Sequence, residues 1–165
     1  SGDLVQLANL NSPGQIAISG TKAGVEKASA AAKEAGAKRV IPLNVSGPFH
    51  SELMKPAAEK LKAVLEDIAI ADARVPVVAN VTADLVTDRG MIKELLLRQI
   101  YSPVRWIESI EKLVALGVNT FVEVGPGKVL AGLIKKIERS ARVLNVNDYE
   151  SFEKTAADLK GGSGA

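Results

Sequence analysis

The stretch FVEVGPGKVLAGLIKKI, residues 121–137, reads as a β-rich run, a Gly-Pro-Gly corner and an amphipathic helix in immediate succession. A further β-rich run, Arg142–Asn145, follows. A helix between two strands is the sequence form of a crossover unit, so this stretch places the chain in the α/β class. The glycines let the backbone turn sharply, and the helix start leaves N–H groups that can receive an anion. The pattern is neither the phosphate-binding G-x-x-x-x-G-K-[ST] loop nor the dinucleotide G-x-G-x-x-G fingerprint. A structural strand-to-helix corner is therefore the reading adopted for it.

The same alternation extends outward over the chain. Strands are expected at Leu4–Ala8, Gln15–Ser19, Arg39–Leu43, Val75–Asn80, Thr120–Val124 and Arg142–Asn145, each flanked by Gly, Pro, Asn or a charged residue. Thr21 can cap a helix from Lys22 to Ala35, and Gly36 can end it. Leu53, Ala57, Leu61, Val64, Leu65 and Ile68 recur at spacings of three and four and predict one face of a helix beginning near Ser51. Pro56 is tolerated there because it falls in or near the first turn. Further helices are expected over Gly90–Ile100, Val104–Leu116, Gly127–Ser140 and Glu150–Leu159. Strands separated by helices predict mainly parallel pairing, whereas the first 45 residues, with two strands close together, predict a small α+β lobe.

Composition limits what the motifs can mean. The 165 residues are 47% hydrophobic, enough for one domain or two small lobes sharing a core. The formal charge is +2, with Lys and Arg dispersed, which argues against nucleic acid and membrane surfaces as partners. There is no cysteine, so disulfides, thiolate catalysis and cysteine-ligated zinc are excluded, and a single histidine excludes a multi-histidine metal site. No apolar run approaches the roughly twenty residues of a bilayer span. We expect a soluble, cytoplasmic protein. The opening SGD without an initiator methionine and the flexible GGSGA at residues 161–165 lead us to expect an excised piece with a linker-like tail.

Two motifs carry alternatives. In NLNSPGQ, residues 9–15, Asn9, Asn11 and Gln15 surround a Pro-Gly turn. Their amides suit an uncharged polar ligand, and the same composition suits an ordinary turn. In NVSGPFHSELMKP, residues 44–56, His50 follows Gly-Pro-Phe at a strand-to-helix junction. A histidine on such a loop end is either a structural residue or a general base at neutral pH. The nucleophile-elbow pattern G-x-S-x-G is absent from these 165 residues, so a base would have no evident partner.

Taken together, NLNSPGQIAISG, AGAKRVIPLNVSGPFHSELMKPA, PVVANVTA, LLRQIYSPVRW and FVEVGPGKVLAGLIKKI resemble the malonyl-CoA:acyl-carrier-protein transacylase family of bacterial fatty-acid synthesis, in its C-terminal portion only. The resemblance runs from about Asp3 to Leu159. It implies the C-terminal part of an α/β-hydrolase-like acyltransferase domain over residues 46–160, preceded by the remainder of a ferredoxin-like small lobe over residues 1–45. It also implies malonyl transfer from coenzyme A to the phosphopantetheine thiol of an acyl-carrier protein, with no cofactor beyond the coenzyme A thioester substrate.

By resemblance His50 falls on the catalytic base, and Gln99 on the residue whose backbone carbonyl orients it. Asn9, Asn11 and Gln15 fall on the amide-rich turn lining the cleft for the coenzyme A or phosphopantetheine arm, and Lys38 and Arg39 on basic positions facing phosphates or an acidic carrier protein. Phe49 falls where an aromatic disfavours branched acyl groups. The family's G-H-S-x-G-E serine, its carboxylate-gripping arginine and its glutamine-rich loop have no counterpart in this sequence. The chain is thus expected to supply the base, to lack turnover alone and to pair with the missing N-terminal half. The alternative is one half of a split or permuted enzyme, or a coenzyme-A-binding scaffold module without catalysis.

Overall fold

The computed structural model describes residues 2–161, and the chain divides into two units, one up to Ser109 and one from Ile110 onward. The linker-like tail expected at 161–165 lies, beyond Gly161, outside the described residues.

In the first unit, β1 (Val5–Ser12) and β2 (Gln15–Gly20) form an antiparallel hairpin. Gly14, at φ 75°, makes the turn between them, a left-handed conformation that glycine adopts without steric cost. Register shifts between Leu7 and Asn9 and between Leu10 and Ser12 bend the first strand. Thr21 then starts α1 (Lys22–Glu34), its hydroxyl oxygen accepting from Gly24 N at 3.2 Å. Gly24 is buried against the Leu4 carbonyl, so the helix sits on the start of β1.

The strand expected at Arg39–Leu43 does not form. Its β-prone residues have no neighbouring strand, and Ile41 and Leu43 remain 67% and 65% exposed. Without a ladder its amides gain nothing from an extended pairing geometry.

After a short 3₁₀ turn at Glu52–Met54 comes α2 (Lys55–Glu66), with Pro56 in its first turn. Ala58 and Leu65 are its buried residues, whereas Leu53, Val64 and Ile68 of the expected face are exposed. The strands β3 (Val77–Ala79) and β4 (Asp84–Val86) form a second antiparallel hairpin. The sequence reading did not include β4. Asp88 caps α3 (Arg89–Arg98), accepting from Met91 N at 2.8 Å. Helix α3 packs on α2, and Lys93 Nζ donates to Leu65 O at 2.7 Å, covering a carbonyl at the end of that helix.

Helix α4 spans Trp106–Ala115. In the second unit β5 (Thr120–Val124) pairs in parallel with β6 (Arg142–Val146). The connecting helix α5 (Val129–Ile137) packs on both strands, and α6 (Tyr149–Gly161) packs on β6. Phe121, Leu133, Ile134 and Ala141 form the buried centre of this unit.

The expectation of mainly parallel pairing is corrected. Among the described residues β5–β6 is the parallel pair, and the other two pairs are antiparallel. The physical reason is connection length. The links Pro13–Gly14 and Asn80–Ala83 are hairpin loops, and a parallel return needs a crossover of about a dozen residues or more.

Candidate active site

His50 lies in the first unit on the turn that precedes α2. Its backbone is left-handed, φ 59°, which a non-glycine residue holds only when its surroundings over-determine it. The restraint begins within the turn. The Ser51 hydroxyl, fully buried, donates to Pro48 O at 2.6 Å and closes the loop Pro48–Phe49–His50–Ser51.

The remaining restraints come from the end of α3. A helix leaves its last carbonyls without intrahelical donors, and Pro103 cannot supply an N–H to continue it. Here the carbonyls of Leu95, Leu97 and Arg98 accept from Gln99 N, Ile100 N and Tyr101 N, and it is carbonyls just past the helix end that turn toward His50. His50 N donates to Ile100 O at 3.2 Å. Ring atom Nδ1 lies 2.9 Å from Gln99 O and 3.1 Å from Ser102 O. A carbonyl oxygen only accepts, so Nδ1 carries the proton and donates to this pair. The neutral ring therefore presents its lone pair on Nε2. That is the tautomer of a base oriented from behind, with backbone carbonyls in the place where a triad uses a carboxylate.

Neighbouring segments hold this arrangement. Asn80 Nδ2 donates to the Gln99 side-chain oxygen at 3.5 Å, and Arg105 N donates to Asn80 O at 3.1 Å. Glu52 N donates to Gln6 Oε1 at 2.7 Å, which ties the start of the post-histidine helix to β1. Strand β1 is tied in turn to the segment after α3, since Val104 N donates to Ala8 O and Leu10 N to Val104 O, at 2.8 and 2.9 Å. The Arg105 guanidinium donates to Thr82 O at 3.0 Å and to both carboxylate oxygens of Glu108. Their mutual hydrogen bonds raise the Arg105 pKa and lower that of Glu108.

The other residues singled out from sequence are placed as follows. Asn9 and Asn11 are half-buried on β1, and the backbone of Asn9 bridges to Val104. Gln15 begins β2 and is exposed. Phe49 is 46% exposed, its ring over Gly47, where an added Cβ would stand 3.5 Å from Cζ. Lys38 and Arg39 are exposed in the irregular segment before the turn. No bond joins these two to the His50 cluster among the interactions of the described residues. A cavity of 320 Å³ lined by Thr82, Leu85, Val86, Met91 and Leu95, among others, lies elsewhere in this unit and does not include His50.

Sequence reasoning missed Ser102 as a second acceptor for Nδ1, and also Ser51, Gln6 and Asn80. For Ser102 a signal existed. It precedes Pro103, a position biased toward extended backbone, where a carbonyl leaves the helical direction. For Gln6 and Asn80 no local signal exists, because each acts on a residue 46 or 19 positions away.

The Gly-Pro-Gly corner, in the second unit, has its helix start filled from within. The Glu123 carboxylate accepts from Leu130 N at 3.1 Å and Ala131 N at 2.8 Å. Asn145 Nδ2 donates to Gly127 O at 2.9 Å, and Gly125 and Gly127 have φ of 141° and 88°. A side-chain anion thus occupies the place where an external one would bind, which makes the corner structural. Among the described residues no cluster of His, Asp and Glu suited to a metal ion is present, and no helix is long and apolar enough to cross a membrane.

The family described as "Acyl transferase domain" matches residues 1–161. The chain is 64% identical over 159 residues to the malonyl CoA-acyl carrier protein transacylase of Bacillus subtilis (strain 168), covering 96% of this chain and 50% of that protein. It is 51% identical over 151 residues to the enzyme of the same name from Haemophilus influenzae, covering 92% of this chain and 48% of that protein. Among solved structures, an acyl-carrier-protein S-malonyltransferase from Burkholderia pseudomallei superimposes with a TM-score of 0.91 at 44% identity, covering 93% of this chain and 50% of that one. A malonyl-transacylase solved in complex with its type II PKS acyl-carrier protein gives 0.91 at 45% identity, covering 94% of this chain and 50% of that one. The mixed α/β fold is that of these malonyltransferases, and the chain spans about half the length of the relatives it matches.

Proposed function

Because the chain belongs to the acyl transferase domain family, we propose that it is the base-bearing half of a malonyl transferase working between coenzyme A and an acyl-carrier protein. The observation that carries this reading is the His50 ring, with Nδ1–H donated to Gln99 O at 2.9 Å and Nε2 left to take a proton. On this reading residues 46–160 belong to an α/β-hydrolase-like domain and residues 1–45 to a ferredoxin-like lobe. The protein works in the cytoplasm without a cofactor.

The chemistry follows from the tautomer. Nε2 takes the proton of a serine hydroxyl supplied by the other half while that oxygen attacks the malonyl thioester carbonyl. The C–S bond then breaks, and the coenzyme A thiolate leaves with the proton from the imidazolium. In the return half-reaction Nε2 takes the carrier-protein thiol proton, sulfur attacks the serine ester, and the serine oxygen recovers its proton. Gln99 O and Ser102 O keep the ring in one tautomer and orientation through both steps. Asn9, Asn11 and Gln15 hold the amide groups of the thioester arm, Lys38 and Arg39 face its phosphates or the carrier protein, and Phe49 limits branching next to the thioester. Without the serine no acyl-enzyme forms, so this chain alone does not turn over.

The test is malonyl transfer from labelled malonyl-CoA to carrier protein. The chain is assayed alone, and together with a separate polypeptide covering the half of the Bacillus subtilis relative that it does not match. Transfer only with both chains, abolished by His50→Gln, is the expected result. Transfer by this chain alone would overturn the assignment. Coenzyme A binding without transfer in the mixture would favour a scaffold module.

A further inference from the structure

The turn that carries His50 does not cap itself. Ser51 begins the 3₁₀ turn Glu52–Met54 but makes no side-chain cap bond to it, because its hydroxyl donates backward to Pro48 O at 2.6 Å. The first N–H of that turn, on Glu52, is taken up from 46 residues away, by Gln6 Oε1 at 2.7 Å.

Gln6 is half-buried on β1, opposite Ser19. Two residues on, the buried Ala8 lies in the first register shift of the strand and has no partner on β2. A bulge of this kind re-aims the backbone, and the Ala8 carbonyl accepts instead from Val104 N at 2.8 Å. Leu10 N donates to Val104 O at 2.9 Å and completes the second tie.

The strand thus holds both segments that meet at the imidazole. Glu52 lies two residues beyond His50, and Val104 two residues beyond Ser102, whose carbonyl is 3.1 Å from Nδ1. The two points of attachment, Gln6 and Ala8, are separated by about 7 Å of extended backbone, which is stiff over so short a span. Direct bonds from His50 N to Ile100 O and from Nδ1 to Gln99 O close the frame. A residue held left-handed, as His50 is at φ 59°, keeps that conformation only while its restraints last.

We propose that Gln6 is a positioning residue for His50. Its side-chain carbonyl fixes the turn against β1, so that Nδ1–H stays on its two carbonyl acceptors and the lone pair stays on Nε2. Gln6 acts through Glu52 N, not through the ring. The proposal rests on the transferase reading only for the use to which the ring is put.

The experiment uses this full chain, whose single imidazole is read directly by nitrogen-15 NMR. Gln6→Met keeps the length of the side chain and removes the acceptor, whereas Gln6→Glu keeps an acceptor in the same place. Loss of one ordinary hydrogen bond changes a local opening equilibrium about tenfold, so in Gln6→Met the Glu52 amide and the Nδ1 proton should both exchange with water about tenfold faster. The Nε2–H tautomer should appear alongside the Nδ1–H form. Gln6→Glu should restore both exchange rates and the single tautomer. Thr21→Ala, which removes the cap of α1 in the same unit, should leave the ring spectrum unchanged. Should the methionine variant lose amide protection throughout, Gln6→Asn, one methylene too short to reach Glu52, takes its place with the same expected readout. A freed Glu52 amide with an unchanged imidazole overturns the proposal, since Gln6 would then cap the turn and nothing more. An equal response of the ring to Thr21→Ala also overturns it. An unmoved ring leaves the transferase reading intact, whereas a perturbed ring with undiminished malonyl transfer in the two-chain mixture keeps the positioning role and removes His50 as the base.

Discussion

Replacing Glu123 by alanine removes the carboxylate that closes the Gly-Pro-Gly corner. The half-buried side chain accepts two helix N–H groups, from Leu130 and Ala131. Hydrogen bonds to a charged group contribute about 1.5–3 kcal/mol each, and loss of a helix cap costs about 1 kcal/mol. Leu130 is exposed, so water replaces the carboxylate there at little cost. The shorter bond, to the half-buried Ala131 N, dominates. The expected loss for Glu123→Ala is about 2 kcal/mol, from one charged hydrogen bond plus a share of the helix dipole. With a urea slope of about 2 kcal/mol/M, the unfolding midpoint falls by about 1 M at unchanged slope. Glu123→Gln keeps an acceptor but loses the charge, and its expected shift is about half as large. The assay is urea unfolding followed by far-ultraviolet circular dichroism. A shift below about 0.3 M for the alanine variant would refute the reasoning, because the glycines and Asn145 would then suffice to hold the corner.

Three further outcomes are expected. Gly24→Ala gains about 1 kcal/mol in helix propensity, yet its Cβ would stand 2.4 Å from Leu4 O, and overpacking of that kind costs about 1–3 kcal/mol. The melting temperature should therefore fall by a few degrees, and a rise would show that the backbone contact relaxes freely. Because Arg105 lowers the Glu108 pKa, the pair's stabilisation is present above the ordinary carboxylate range and is lost as pH falls through the lowered value. With both side chains more than a third exposed, Glu108→Gln costs only about 0.5 kcal/mol at neutral pH and nothing in acid, and a gap independent of pH would exclude the ion pair as its source. Nitrogen-15 NMR of the single imidazole should show the Nδ1–H tautomer in the neutral form, since both acceptors sit at Nδ1, and a dominant Nε2–H form would remove the geometric basis for a base.

Much of the local structure was readable along the chain. Thr120–Val124 has the same bounds in sequence and structure, because a β-branched run between Asn119 and Gly125 has few other choices. Helix α1 starts where Thr21 offers its hydroxyl, and Pro56 falls in the first turn of α2, as its missing N–H requires. The Asp84–Val86 strand was not readable, since three residues carry no period and are extended only because β3 lies beside them. The Arg39–Leu43 run failed in the opposite sense, with β-prone residues and no ladder to join.

At the site, the sequence singled out the loop histidine and, by resemblance, Gln99. It could not show that Ser102 O shares Nδ1, or that Gln6 and Asn80 hold the surrounding segments. What the sequence by itself determined is the identity and approximate extent of most helices and strands and the display of His50 on a turn before a helix. Caps, breakers and apolar period act within about one turn or a few residues, so those features can be read locally. Only the tertiary structure decided which strands pair, which β-prone run stays unpaired and which carbonyls meet the ring, 49 and 52 residues from His50. Such contacts depend on how distant segments close upon one another, and that closure is settled by the packing of the whole unit.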